Sequence, residues 1–229
     1  KTKLKSTPLQ GLKPFSNLND EHPAKQYLLN RKLPTDYFDR LYYCDKFQTY
    51  VNRIRPGTFE SLNKKYEHPR LIIPFYDVDN QVFAIQGRAF GKEQPKYLTI
   101  KLQENKQKIF GLERINLHKR LYIVEGPLDS LFLDNCLAAG GADLQLPVDK
   151  KDVVFIFDNE PRNKEIIDRM YKMIEKDYMI VIWPEGQTEK DINEMIINGK
   201  TKDQVQKIIS DNTYSGLSAI TQINSYKRC

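Results

Sequence analysis

Beyond Arg120 the sequence alternates short apolar runs with longer amphipathic segments, and few folds accommodate that rhythm. Residues 121–124, 136–139, 153–157 and 179–183 read as strands that are apolar on both faces, the second running into Gly140-Gly141. The segments 127–135, 162–175 and 191–197 read as helices, the first with Pro127 suited to its opening turn. Strands without a polar face need cover on both sides, so the pattern predicts an α/β architecture, a parallel sheet with flanking helices.

The preceding residues follow a different pattern. Residues 1–20 read as an extended leader, 22–32 as a short helix stopped before Pro34, and 36–43 as a second helical turn. Residues 71–76 and 82–85 read as strands around the polar turn Asp77-Val78-Asp79-Asn80, with 97–100 a third, which makes this half a mixed, partly antiparallel unit. The expected organisation is a basic amino-terminal subdomain over 1–120, an α/β subdomain over 121–199, and a helical tail over 200–229 with one amphipathic helix at Val205, Ile208 and Ile209.

A chain of 229 residues suits one large domain or two small ones, and 40% apolar residues exclude wholesale disorder. The apolar runs fall far short of the roughly 18 residues that a membrane-spanning helix needs. The basic residues 1–13 precede no apolar segment, so they do not read as a signal peptide, and the expected location is the cytoplasm. Cys44, Cys136 and Cys229 are too scattered for a disulfide framework or a zinc site.

The net charge of +6 averages two opposed halves. Residues 1–120 carry 23 Lys and Arg against 12 Asp and Glu, a balance of +11, whereas residues 121–229 carry 13 against 18, a balance of −5. A basic half suggests contact with phosphates, and an acidic half suggests a solvated surface or a cation site. The positions of the carboxylates distinguish the two. Glu125-Gly126 ends the first strand, with Asp129 four residues on; Asp158-Asn159-Glu160 ends the third; and Asp191 and Glu194 lie in the loop after the fourth. Ligands of open α/β sheets bind at the carboxyl ends of the strands, so three loops would direct these oxygens at one crevice. Their mutual repulsion would be relieved by a hard cation such as Mg²⁺, which borrows phosphate oxygens from a substrate and so points to phosphoryl or nucleotidyl transfer. Singly, Asp158 or Asp191 could as well cap a helix, and Asp129 could be an exposed helix residue.

The segments Glu125-Gly126-Pro127-Leu128-Asp129, Phe157-Asp158-Asn159-Glu160-Pro161-Arg162 and Lys190-Asp191-Ile192-Asn193-Glu194 resemble the Toprim domain of bacterial DnaG-type primases, topoisomerases and some nucleases. Arg70-Leu71-Ile72-Ile73-Pro74, Gln86-Gly87-Arg88 and Pro95-Lys96-Tyr97-Leu98 resemble the segments that precede Toprim in DnaG-type primases, particularly the branch carried by T-even-type tailed phages. The likeness runs from about Leu9 onward. Bacterial members carry Asp-x-Asp where this chain has Asp158-x-Glu160, and the third motif here reads Asp191-x-Asn193. Both departures suit the phage branch and leave the number of metals open.

The resemblance implies a DNA primase, a DNA-directed RNA polymerase that makes short RNA primers. It assigns Glu125, Asp158 and Glu160 to a catalytic metal core, with Asp129 and Asp191 supporting it and Mg²⁺ or Mn²⁺, two ions, as cofactor. Lys96, Tyr97, Arg70 and Arg88 would face template, primer or nucleotide. Arg162 would reach a triphosphate, neutralise the acidic cluster, or pair with Glu165. The implied partners are a single-stranded DNA template, ribonucleoside triphosphates, the RNA primer and a replicative helicase, with no membrane. No Cys-x-x-Cys pair is present, so the family's zinc module either precedes Lys1 or is lost. Two rivals remain: a Toprim nuclease or topoisomerase fragment using the same carboxylates, and a non-catalytic nucleic-acid-binding module. Trp183 reads as core, and His22, His68 and His118 form no ligand spacing.

Overall fold

The computed structural model describes residues 7–60, 67–140 and 147–229, so Gly141 and the first six residues of the expected leader lie outside the described residues. The chain divides into two compact units, one made of residues 1–30 and 34–106, the other of 31–33 and 107–229.

The first unit is built on a five-stranded antiparallel sheet, in the order β1 (Lys13–Pro14), β2 (Tyr42–Cys44), β3 (Arg70–Tyr76), β4 (Val82–Ala89) and β5 (Tyr97–Lys101). The expected hairpin is present, and its turn is fixed by Asp77, whose Oδ1 accepts the amides of Asp79 and Gln81. The expected helix at 22–32 runs over Pro23–Asn30 (α1). The helical turn expected over 36–43 is instead a 3-10 helix at Thr35–Arg40 followed by β2, because sheet pairing with Leu71 and Ile72 takes Tyr43 and Tyr42. A further helix, α2 (Phe47–Ile54), buries Phe47, Tyr50 and Val51 against Ile72, Ile85 and Ile100. The seven residues of β3 are all buried, residues 71–76 as their continuous apolar run requires and Arg70 with them.

The second unit carries a six-stranded mixed sheet rather than an all-parallel one. Its order is β11 (Thr213–Tyr214), β10 (Met179–Val181), β9 (Val153–Phe155), β7 (Leu121–Val124), β8 (Cys136–Ala139) and β6 (Ile109–Phe110). The four central strands are parallel, and the short outer strands β6 and β11 pair antiparallel to them. α3 (Lys164–Glu175) and α6 (Gly216–Tyr226) lay Ile166, Met170, Met173, Ala219 and Ile223 against Leu121, Ile123, Phe155 and Ile180. By the alternation of a strand, Val124, Val154 and Val181 point to the opposite face, and all three are buried.

The helix expected over 127–135 is a single 3-10 turn, Asp129–Phe132. The Pro127 carbonyl, which an α-helix would give to the amide of Leu131, accepts the Ser130 hydroxyl, while the Leu131 amide bonds Leu128. The single helix expected in the tail is two, α5 (Lys202–Asp211) with a Thr201–Gln204 capping box, and α6, with β11 between them.

Gly87 shows how tightly the first unit is built: a Cβ there would lie 2.3 Å from the ring of Phe47. Gly87→Ala is therefore expected to lower unfolding free energy by about 1–3 kcal/mol, seen as a lower urea midpoint. An unchanged midpoint would show that the ring yields without cost.

Candidate metal-binding active site

Strand order sets the location of the site. From β7 the chain passes to β8 on one side and then returns to β9 on the other, so β7 and β9 are neighbours at the point where the order reverses. In such sheets this is where a crevice opens between the diverging connections. Glu125 follows β7 directly, and Asp158 lies three residues beyond β9. The Asp158 amide donates to Glu125 Oε2 at 3.2 Å. Glu125, Gly126, Asp129, Asp158 and Asp191 line a narrow crevice of about 10 Å³, floored by Val124, Ile156 and Phe157, and Trp183 closes it as buried core. That is room for about one water-sized sphere.

Each carboxylate is held by a local device. Asp129 follows Gly126 closely enough that a Cβ on Gly126 would lie 2.6 Å from Asp129 Oδ2, so the glycine clears the space for the carboxylate. Asp129 Oδ1 accepts the Asn193 amide at 3.0 Å. Asp191 caps α4 (Ile192–Ile197) by accepting the Glu194 amide at 2.7 Å, so its capping and site-lining roles coexist. Glu160 sits apart from this group, paired through Oε1 with Lys190 and through Oε2 with Asn163 Nδ2 at 2.7 Å.

The electrostatics follow from this crowding. Burial, with the charges of Glu125, Asp129 and Asp191 behind it, pushes the Asp158 carboxyl up to about 7 despite Lys190. Burial and the charge of Asp191 push Asp129 up to about 6. Glu160 moves the other way, below the ordinary carboxylate range, because Lys190 and Asn163 bond its ionised form.

Among the described residues, no three acidic, histidine or cysteine side chains already converge as a metal-ligand set. The donor chemistry nonetheless suits a hard cation: the crevice offers only carboxylate oxygens as charged donors, and two of them are held towards neutrality by burial and by their neighbouring carboxylates. Asn193, fully buried, also has an Oδ1 with no hydrogen-bond donor among the described residues.

The loops behind the carboxylates are tied together by a residue that motif reading passes over. Asn159, between Asp158 and Glu160, donates from Nδ2 to the carbonyls of Gln187 (2.8 Å) and Glu189 (3.1 Å), accepts the Tyr226 hydroxyl at 3.0 Å, and gives its amide to Lys190 O at 2.6 Å. Glu189, buried and paired with Lys200 at 2.7 Å, anchors the same loop. Arg169 of α3 was equally invisible to motif reading. It pairs with Glu125, and its position three residues after Ile166, beside an apolar stripe, is the one signal the sequence offered.

In the first unit the structure brings together Arg70, Arg88, Lys96 and Tyr97. Arg88 Nε donates to the Tyr97 hydroxyl at 2.9 Å, and its guanidinium lies over the rings of Tyr27 (5.0 Å) and Tyr97 (5.4 Å). Lys96 Nζ stands 5.7 Å from the Tyr97 ring, which is 41% exposed. Arg70 is buried, and its Nη1 donates to the carbonyls of Gly87 (3.1 Å) and Pro95 (3.0 Å), holding the 95–97 segment against β4. Arg162 is exposed beside Glu160, Asn163 and Arg228 in an open hollow of the second unit.

This fold is that of the DnaG-type primase catalytic core. The chain matches the Escherichia coli primase catalytic core with a TM-score of 0.58 and 18% identity, over 90% of this chain and 78% of that one. It matches a DnaG primase catalytic domain solved bound to single-stranded DNA with a TM-score of 0.58 and 17% identity, over 90% and 79%. In sequence the chain is similar to the DNA primase of Enterobacteria phage T4, 35% identical over 219 residues that cover 93% of this chain and 63% of the relative. It thus spans less than two thirds of that relative's length. No family model matches the chain.

The raised carboxyls give a pH prediction for metal-free protein. A folded carboxyl titrating near 7 holds its proton where the unfolded one, near 3.9, has lost it, so its contribution favours folding at low pH and is lost as pH rises through about 7. In EDTA, Asp158→Asn is expected to raise the melting temperature by about 3 °C or more at pH 8 and to leave it unchanged at pH 3.5. Equal melting at pH 8 would show that the ionised Asp158 carboxylate costs the fold nothing.

Proposed function

We propose that this chain is the polymerising core of a DNA primase of phage replication, synthesising short RNA primers on single-stranded DNA from ribonucleoside triphosphates in the host cytoplasm. The observation that carries the reading is the meeting of Glu125, Asp129, Asp158 and Asp191 at the switch point of a sheet whose fold is that of primase catalytic cores. Homology to a DNA primase favours primer synthesis over strand cleavage by a nuclease or topoisomerase, and over a module that only binds nucleic acid. Among the described residues no helix is long and apolar enough to cross a membrane.

In this reading Glu125, Asp158 and Glu160, supported by Asp129 and Asp191, would hold Mg²⁺ or Mn²⁺, two ions. Such ions, when bound, neutralise triphosphate charge and acidify a primer 3′-hydroxyl. The protein's own part is to orient the carboxylates. Gly126 admits Asp129, the Asp158 amide holds Glu125, and Asn159 fixes the spacing of the second and third loops. Lys96 and Tyr97 offer a cation and an exposed ring to a single-stranded template, whereas Arg88, buried and bonded to the Tyr97 hydroxyl, supports that ring rather than facing the template, Arg70 positions the same segment, and Arg162 offers a cation to phosphate. A replicative helicase is the expected protein partner.

The test is primer synthesis on single-stranded DNA with Mg²⁺ or Mn²⁺ and the four ribonucleotides. Glu125→Ala and Asp158→Ala are each expected to lower synthesis by about 10²-fold or more while leaving DNA binding intact. Unchanged synthesis in both would overturn the assignment, and Mg²⁺-dependent cutting of DNA without nucleotides would favour the nuclease.

A further inference from the structure

Both carboxylate oxygens of Glu125 are engaged within the protein. Its Oε2 accepts the Asp158 amide, and its Oε1 accepts the Arg169 guanidinium. The arginine is not a loosely placed surface cation. It lies on α3, whose neighbouring Ile166, Met170 and Met173 are buried in the core, and its guanidinium is stacked 5.0 Å from the ring centroid of buried Phe157, the residue before Asp158. Its side chain is 29% exposed and that of Glu125 26%, so the pair is partly shielded from water, and the charge-assisted bond is stronger than at an open surface.

A second protein cation acts across the cluster: Lys190 pairs with Glu160 and stands 3.7 Å from Asp158 Oδ2. Lys190 is more than half exposed on a loop and can swing away, whereas Arg169 is held by its helix and by the ring beneath it. Resting on the metal-site reading above, we propose that Arg169 is a resident counter-ion of Glu125 that competes with a divalent cation for the same carboxylate and must release it when the cation loads. Arg169 thereby keeps the affinity of the metal-free site for a lone cation low. It is a positioning residue in this role, acting on the cation through Glu125.

The test is Mn²⁺ binding to the full chain without nucleotide, followed by the electron paramagnetic resonance signal of free Mn²⁺, for the parent, Arg169→Gln, Arg169→Lys and Asp158→Asn. Arg169→Gln is expected to lower the Kd for Mn²⁺ about tenfold. Arg169→Lys, which keeps the charge but loses the planar stacked group, is expected to fall between parent and Arg169→Gln. Asp158→Asn is expected to weaken binding, which places the Mn²⁺ at this site. Unchanged or weaker binding in Arg169→Gln overturns the inference while leaving the metal site standing, and so does Arg169→Lys equal to parent, since a distant charge effect alone would then suffice. Mn²⁺ binding that is absent from all four proteins, or unaffected by Asp158→Asn, overturns the metal-site reading and this inference with it.

Discussion

Like charges brought close together at one reversal of strand order are the constraint to which the second unit answers. The pairing of β7 with β9 puts Glu125 and Asp158 within one hydrogen bond of each other, and the connections add Asp129 and Asp191. Water screens charges only in part in so narrow a crevice, so the protein compensates by other means. It supplies the guanidinium of Arg169, the ammonium of Lys190 and the amides of Asp158, Asn193 and Glu194, and it leaves Asp158 and Asp129 titrating well above the ordinary carboxylate range. An arrangement that costs stability in this way is typical of a functional site.

Holding such a cluster in register requires a stiff frame. Asn159 supplies it by joining the Asp158–Glu160 loop to the 187–190 loop and to Tyr226, near the end of α6. The backbone of Arg228 adds a bond to Pro161 at 2.7 Å. Residues at the far end of the chain therefore support the loop that carries Asp158, and burial of the Tyr226 hydroxyl raises its pKa, consistent with a fixed neutral donor. In the first unit Arg70 plays the corresponding part for Lys96 and Tyr97, with its guanidinium on backbone carbonyls.

Much of this was legible in the chain, for identifiable reasons. The runs at 121–124 and 153–157 are apolar on both faces, and such runs have few homes other than the centre of a covered sheet. The short helix after Asp191 was marked by its own capping residue. The failures share a cause as well. Residues 127–135 look helical, but the Ser130 hydroxyl and the Arg114 guanidinium, which donates to Ser130 O at 3.1 Å, take carbonyls that a helix needs. Tyr42 and Tyr43 look helical until β3 pairs with them, and the outer strands β6 and β11 are two residues each, too short to show a period.

Residue type and near neighbours were enough to mark which residues could be strands, which carboxylates end them, and that positive charge gathers before Arg120 and negative charge after it. Tertiary structure alone decided that β9 returns to the free side of β7, and so which carboxylates meet. It also decided that Arg169, a helical residue with no motif around it, is the cation that Glu125 holds. The pairing of β7 with β9 joins residues as far apart in the chain as Leu121 and Val153, and no local pattern records it.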